Sequence, residues 1–159
     1  MLTLDEQIWM DQGTCKKTLS NYSFSNSILI FIIHLVYNCF DVFRILKSAP
    51  TVSWPNCLAL DYVANRVYWV DAQKDHIVSM GFDGKNYKIV LEKTGSVKHP
   101  FGIAVHKKLM FWTDWTLQHL HMADKDRGKG VSEIVQAKNA MDVKAFSSIH
   151  RQGTNACSK

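Results

Sequence analysis

The sequence predicts an all-β protein made of repeated four-stranded units, an incomplete β-propeller with two intact blades and one disrupted blade. Three observations carry this. Residues 54–84, "WPNCLALDYVANRVYWVDAQKDHIVSMGFDG", and residues 99–128, "HPFGIAVHKKLMFWTDWTLQHLHMADKDRG", repeat each other, with Trp69 and Asp71 set 43 residues before Trp112 and Asp114. A period of about 40–45 residues filled with short strand-like runs is that of a propeller blade. Each copy supplies four such runs, and an Asp-Gly turn joins the last two runs of the first copy.

The runs follow in order. "CLALDY" and "GIAV" are short apolar stretches suited to a buried inner strand. "RVYWVD" and "KLMFWTD" are strand-like and aromatic and come second. "HIVSMGF" and "LQHLHMAD" come third, the latter alternating in part as a half-exposed outer strand does. "YKIVL" and "VSEIVQA" complete the sets. "FDGKN" (residues 82–86) is a strong hairpin signal, since Asp-Gly accepts the left-handed turn conformation that a tight antiparallel connection needs. Pro55 and Pro100 match at a spacing of 45, so the turn between the first two strands is two residues longer in the first copy.

A damaged copy opens the chain. "QIWMDQGTCKKTLS" keeps Trp9 and Asp11 in place, and "FRILKSAPTVSWPN" runs parallel to "YKIVLEKTGSVKHP". From Trp9 to Arg44 the damaged copy is longer by 16 residues than the intact copy from Trp69 to Lys88, and the excess falls in "NYSFSNSILIFIIHLVYNCF". Its apolar run is shorter than the roughly 20 residues of a spanning helix and begins too late for a signal peptide. A strand or a short buried helix fits it equally. Its position inside a blade reads as an intruder, such as translated intron or an alternative exon, which raises aggregation risk.

The chain of 159 residues is 47% hydrophobic and 21% charged, with a net charge of +5. That composition is globular. The cations sit in small groups, Lys16-Lys17, Lys85 with Lys88, Lys107-Lys108 and residues 125–129, with no basic helix or stripe. They read as a solvated surface, and nucleic acid is not an expected partner. The four cysteines, Cys15, Cys39, Cys57 and Cys157, form no C-x-x-C pair, which argues against zinc or thiol-redox chemistry. No nucleophile–base set, phosphate-binding glycine loop or purposeful carboxylate pair stands out, so neither an enzyme nor a cofactor is expected. The opening residues lack the basic start and apolar core of a secretory signal.

"RVYWVDA" and "LMFWTDW" resemble the Tyr-Trp-Thr-Asp motif of the low-density lipoprotein receptor family, and "WPNCLALD" and "HPFGIAVH" resemble the strand that precedes it. "NAMDVKAFSSIHRQGTNAC" resembles the exit of the last blade of such a propeller, with Cys157 at the first cysteine of a following EGF-like module. The resemblance implies a YWTD-type propeller in the extracellular part of a cell-surface receptor. It divides the chain into a degenerate blade with the apolar insert at about 20–40 (residues 1–53), a YWTD blade (54–98), a final YWTD blade with closing strand (99–150) and the start of a truncated EGF-like module (151–159).

It further implies a structural motif made of Tyr68, Trp69, Val70, Asp71, Phe111, Trp112, Thr113 and Asp114, with Trp9, Asp11, Pro55, Pro100 and Gly102. The aromatic residues would fill the space between blades, and the aspartates would accept backbone N–H bonds that fasten blade to blade. Gly102 suits a close backbone approach, and Cys57 stands where Gly102 stands in the other copy. The expected partners are extracellular protein or lipoprotein ligands, neighbouring blades and the EGF-like module. The membrane would be reached only through the remainder of the receptor. Endocytic receptors of this kind release ligands in acid, and His99, His106, His119 and His121 are the candidates for sensing it. A signalling co-receptor propeller is the alternative. An intracellular Trp-Asp-repeat scaffold fits less well, because here the aspartate follows the tryptophan by two. His119 and His121 as a metal pair, and Asn21 as a glycosylation acceptor, are weaker readings. Six blades of about 43 residues need about 260 residues, so the chain alone is expected to be marginal, adhesive or oligomeric.

Overall fold

In the computed structural model every described element is a strand, and β-branched and aromatic runs separated by turn residues supply each one. The structure describes the strands β1 (Glu6–Asp11), β2 (Ile32–Tyr37) and β3 (Phe40–Ile45), together with residues 52–147. Cys157, Asn21, residues 151–159 and the side chains of Trp9 and Asp11 lie outside the described residues.

Two four-stranded antiparallel sheets form the body. The first takes β4 (Pro55–Asp61), β5 (Arg66–Asp71), β6 (His76–Gly81) and β7 (Lys88–Glu92) in sequential order. The second takes β8 (Pro100–His106), β9 (Leu109–Asp114), β10 (His119–Asp124) and β11 (Ser132–Gln136), again in order. Sequential up-and-down strands closed by short turns are the blade pattern that the repeat predicts. Leu58 lies opposite Trp69 in the first sheet and Ile103 opposite Trp112 in the second, and both pairings are broken by a bulge just after the proline. The turn between β4 and β5 is two residues longer than that between β8 and β9, where the repeat places its length difference. The Asp83–Gly84 turn closes β6 onto β7, with Gly84 at φ 82°.

β10 is not an outer strand. It is the third of four, flanked by β9 and β11, and is largely buried; the outer position belongs to β11, whose residues face solvent. Partial alternation misleads here because a third strand is half-covered by the neighbouring blade on one face.

The inner strands β4, β8 and β12 (Asp142–Ser147) pack side by side, and the core lies between the sheets. Tyr68, Val70 and Ile77 of the first sheet meet Ile103, Met110, Trp112 and Ala123 of the second. The far face of the second sheet, with Phe111, Leu120 and Ala104, is covered by Val143 and Ala145 of β12. Alternation along each second strand thus sends Trp112 to one interface and Phe111 to the other.

β12 pairs with β1, joining the two ends of the described chain, with Asp11 opposite Asp142 and Trp9 opposite Lys144. The motif strand of the damaged copy therefore stands beside an inner strand, as β5 stands beside β4, but without the bulge that the intact blades carry. Ile32–Tyr37, the second half of the apolar insert, is a strand, which decides between the strand and helix readings; it forms an antiparallel pair with β3.

Candidate functional site

The two motif aspartates organise the chain at one end of each blade. Asp71 is fully buried, and its carboxylate accepts N–H bonds from Ser53 and Trp54 and from Gln73 and Lys74 at 2.7–3.2 Å. Asp114 repeats this with Lys98, His99, Thr116 and Leu117 at 2.8–3.0 Å. One carboxylate thus ties the link entering the blade to the turn between its second and third strands. Blade is fastened to blade through this connecting link. Four donors per carboxylate satisfy a group that would be costly to bury otherwise.

Around these anchors the other motif residues take packing roles. Tyr68, Trp69, Val70, Phe111, Trp112 and Thr113 are all buried. The Trp112 indole donates to Ser96 O at 3.1 Å, and Thr113 Oγ1 accepts the Gly102 N–H at 2.9 Å. Pro55 and Pro100 open β4 and β8 opposite Asp71 and Asp114. A Cβ at Gly102 would stand 2.7 Å from Asp142 Cα, so the close backbone approach is to β12. At the matching place Cys57 is disulfide-bonded, a role that its alignment with Gly102 did not signal. Its Sγ lies 4.0 Å from Asp142 Oδ1.

The anchored links and turns present an aromatic patch across the seam of the two blades. Trp54, 52% exposed, meets His99 edge-on with ring centroids 5.5 Å apart. Trp115, 38% exposed, lies beside Phe101 at 6.0 Å, and its N–H donates to His99 O. Asn56 Nδ2 donates to Pro100 O at 3.1 Å and pins the seam beneath. Sequence reasoning did not single out Trp54 or Trp115. The available signal was their position directly beside the motif, where a turn must surface.

The four candidate histidines are not one cluster. His99 belongs to the aromatic patch, and His106 ends β8 at the opposite end of the blade. His119 and His121 are neighbours on one face of β10, with ring centroids 6.1 Å apart. His121 is wholly buried, stacked on Trp112, with no hydrogen-bond partner at either ring nitrogen, and burial pushes its pKa down. His76, not singled out from the sequence, is buried as well, and desolvation lowers its pKa too. Its signal was legible: His76 and His119 each follow the motif aspartate by five residues and open the third strand. Among the described residues no cluster of three metal-ligating side chains occurs.

Residues 65–107 match the family model described as low-density lipoprotein receptor repeat class B. The matched unit begins at the second strand of one blade and ends at the inner strand of the next, so sequence repeat and structural blade are one strand out of phase. The chain is 38% identical over 87 residues to the vitellogenin receptor Yl of Drosophila melanogaster, a match over 52% of this chain and 4% of that protein. To the human low-density lipoprotein receptor-related protein 4 it is 35% identical over 101 residues, 63% of this chain and 5% of that protein. The chain thus spans about one-twentieth of these relatives. A chain of a solved nidogen/laminin complex shares the fold with a TM-score of 0.53 and 19% identity, over 66% of this chain and 39% of that one.

Proposed function

We infer, for a chain of the low-density lipoprotein receptor class B repeat family, that its blades are an extracellular ligand-binding and structural module of an endocytic receptor. The observation that carries this is the exposed patch of Trp54, His99, Phe101 and Trp115 over the blade seam. Exposed tryptophans backed by a rigid, hydrogen-bonded frame are the usual anchors of protein recognition, because they bury large area at little entropic cost. The frame comes from Asp71 and Asp114, whose buried carboxylates hold the link and turn backbones that carry Trp54, His99 and Trp115. His121, stacked on Trp112 in the blade interface with its pKa lowered by burial, is the group through which acid would loosen the frame.

The relatives' names direct the test. Vitellogenin and lipoprotein particles are immobilised, and the 159-residue chain is passed over them at neutral and mildly acid pH. Binding at neutral pH, weakened about tenfold or more by Trp54→Ala with Trp115→Ala, and weaker in acid, is the expected result. Binding that ignores both substitutions would remove the patch from the ligand site.

A further inference from the structure

Three of the cation groups scattered along the sequence, Lys85 with Lys88, Lys107-Lys108 and residues 125–129, come together at one end of the two blades, opposite the aromatic patch. The turns β4–β5, β6–β7, β8–β9 and β10–β11 all open at this end, as alternate turns of antiparallel sheets must. They are stitched together. Phe82 N donates to Asn65 O at 3.0 Å, and Lys125 N to Lys108 O at 3.0 Å. Across the blade seam Lys125 Nζ pairs with Asp61 Oδ2 at 2.9 Å, and the Lys88 ammonium donates to Asp126 O. The four turns are therefore one continuous surface.

Among the described residues that surface carries Arg66, Lys85, Lys88, Lys107, Lys108, Lys125, Arg127 and Lys129 against the four carboxylates of Asp61, Asp83, Asp124 and Asp126. The carboxylates are spent locally. Asp61 accepts from Val63 and Ala64 N–H, Asp83 from Lys85 N–H, and Asp124 from Asp126 and Arg127 N–H, while Asp126 meets Lys125 and Tyr68. Apart from the buried Lys125 and the half-buried Arg66, the cations are exposed. Among the described residues the opposite end carries Lys74, Lys93, Lys98, Lys138 and Lys144 against Asp71, Asp75, Glu92, Asp114 and Asp142, so the net positive charge gathers at the first end.

We propose that this basic end binds a linear sulfated polysaccharide. The exposed cations are mostly lysines spread over both blades with no enclosed anion pocket, which suits a long chain of repeated charges better than a single phosphate. Tyr62, 40% exposed and braced edge-on by Phe82 at 6.0 Å, gives a flat ring at the border against which a sugar face can lie. A nucleic acid would call for a helix in a groove or a row of stacking aromatics; among the described residues this end has no helix, and its exposed rings, Tyr62 before β5 and Phe146 on β12, stand on either side of β8 and form no row. The choice of sulfated glycan rests on the extracellular reading above; the charge segregation does not.

The test is binding of the full chain to fluorescent heparin over a salt series, followed by anisotropy. Heparin binding should weaken steeply with salt, because each ion pair formed releases bound counterions. Lys85→Glu with Lys108→Glu and Arg127→Glu should weaken it about tenfold or more and flatten the salt slope. Lys74→Glu with Lys93→Glu and Lys98→Glu makes the same change in net charge at the other end, and should weaken it less than about twofold. Circular dichroism confirms that both variants keep their strands, and a Lys→Gln version of the first triple should show the same direction of change. Equal loss in the two triples would overturn the proposal, as would absence of wild-type binding at low salt. Duplex DNA, anionic lipid vesicles or desulfated heparin binding as well as heparin would overturn the assignment to a sulfated glycan.

Discussion

His121 lies flat on Trp112, with ring centroids 5.3 Å apart and planes 16° from parallel, inside the interface between the two blades. The matching position in the first blade is Val78. A titratable ring thus occupies a place where the fold accepts a hydrocarbon.

This arrangement makes stability depend on pH. Burial holds the His121 pKa below the ordinary histidine range; Asp114 and Glu133 pull it upward and His119 pushes it down. With the folded pKa lowered, the unfolded chain binds the extra proton first. The contribution of the neutral ring is full above about pH 6.5 and is lost as pH falls through that value toward the lowered one. His121→Val should flatten the fall of the thermal midpoint between neutral and mildly acid pH. Parallel pH curves for wild type and variant would show that the buried ring does not govern it.

Replacing Asp114 with Asn should be expensive. One oxygen becomes an NH₂ group facing the N–H groups it formerly bound, in a site that is 1% exposed. A loss of about 2–4 kcal/mol in urea unfolding is expected, with Asp71→Asn behaving alike. A loss below about half a kcal/mol would mean that the carboxylates do not hold the links.

Gly102 and Gly95 form a matched pair. A methyl group at Gly102 would meet the β12 backbone at 2.7–3.0 Å, whereas at Gly95 nothing lies within 4 Å. Gly102→Ala should cost about 1–3 kcal/mol by forcing β8 and β12 apart, and Gly95→Ala should stay within about half a kcal/mol. Equal effects on the denaturation midpoint would refute the close approach.

Lys125 bridges the blades with its side chain 8% exposed, against Asp61 at 11%. Burial lowers its pKa, but the hydrogen bond to Asp61 and the charges of Tyr68, Asp61 and Asp126 outweigh burial and leave it raised. Lys125→Met leaves a carboxylate buried without its ion, at a cost of about 3 kcal/mol. Adding Asp61→Asn should recover much of that loss, and a double-mutant cycle measures the coupling. Additive losses would show that the pair is not a unit.

Much of the fold was legible because propeller blades are local. Each strand pairs with its neighbour in sequence across a short turn, so periodicity at Trp69, Asp71, Trp112 and Asp114 reports strands, turns and blade order. The Asp-Gly turn and the bulge-associated prolines were visible for the same reason. The histidines were less legible. Alternation tells which face of β10 carries His121, but not that the neighbouring blade covers that ring completely.

The repeat, the β-class, the motif aspartates and the position of the interrupting apolar segment were all readable from residue order alone. It took the three-dimensional arrangement to show that β1 pairs with β12, that Ile32–Tyr37 is a strand, that Cys57 is bonded, and that Lys85, Lys88, Lys107, Lys108, Lys125 and Lys129 share one end while Trp54 and Trp115 share the other. The division has a physical cause. Local hydrogen bonding and side-chain alternation act over a few residues and leave their mark in sequence. Contacts between blades join residues tens of positions apart, and which of them meet is fixed by how the sheets stack.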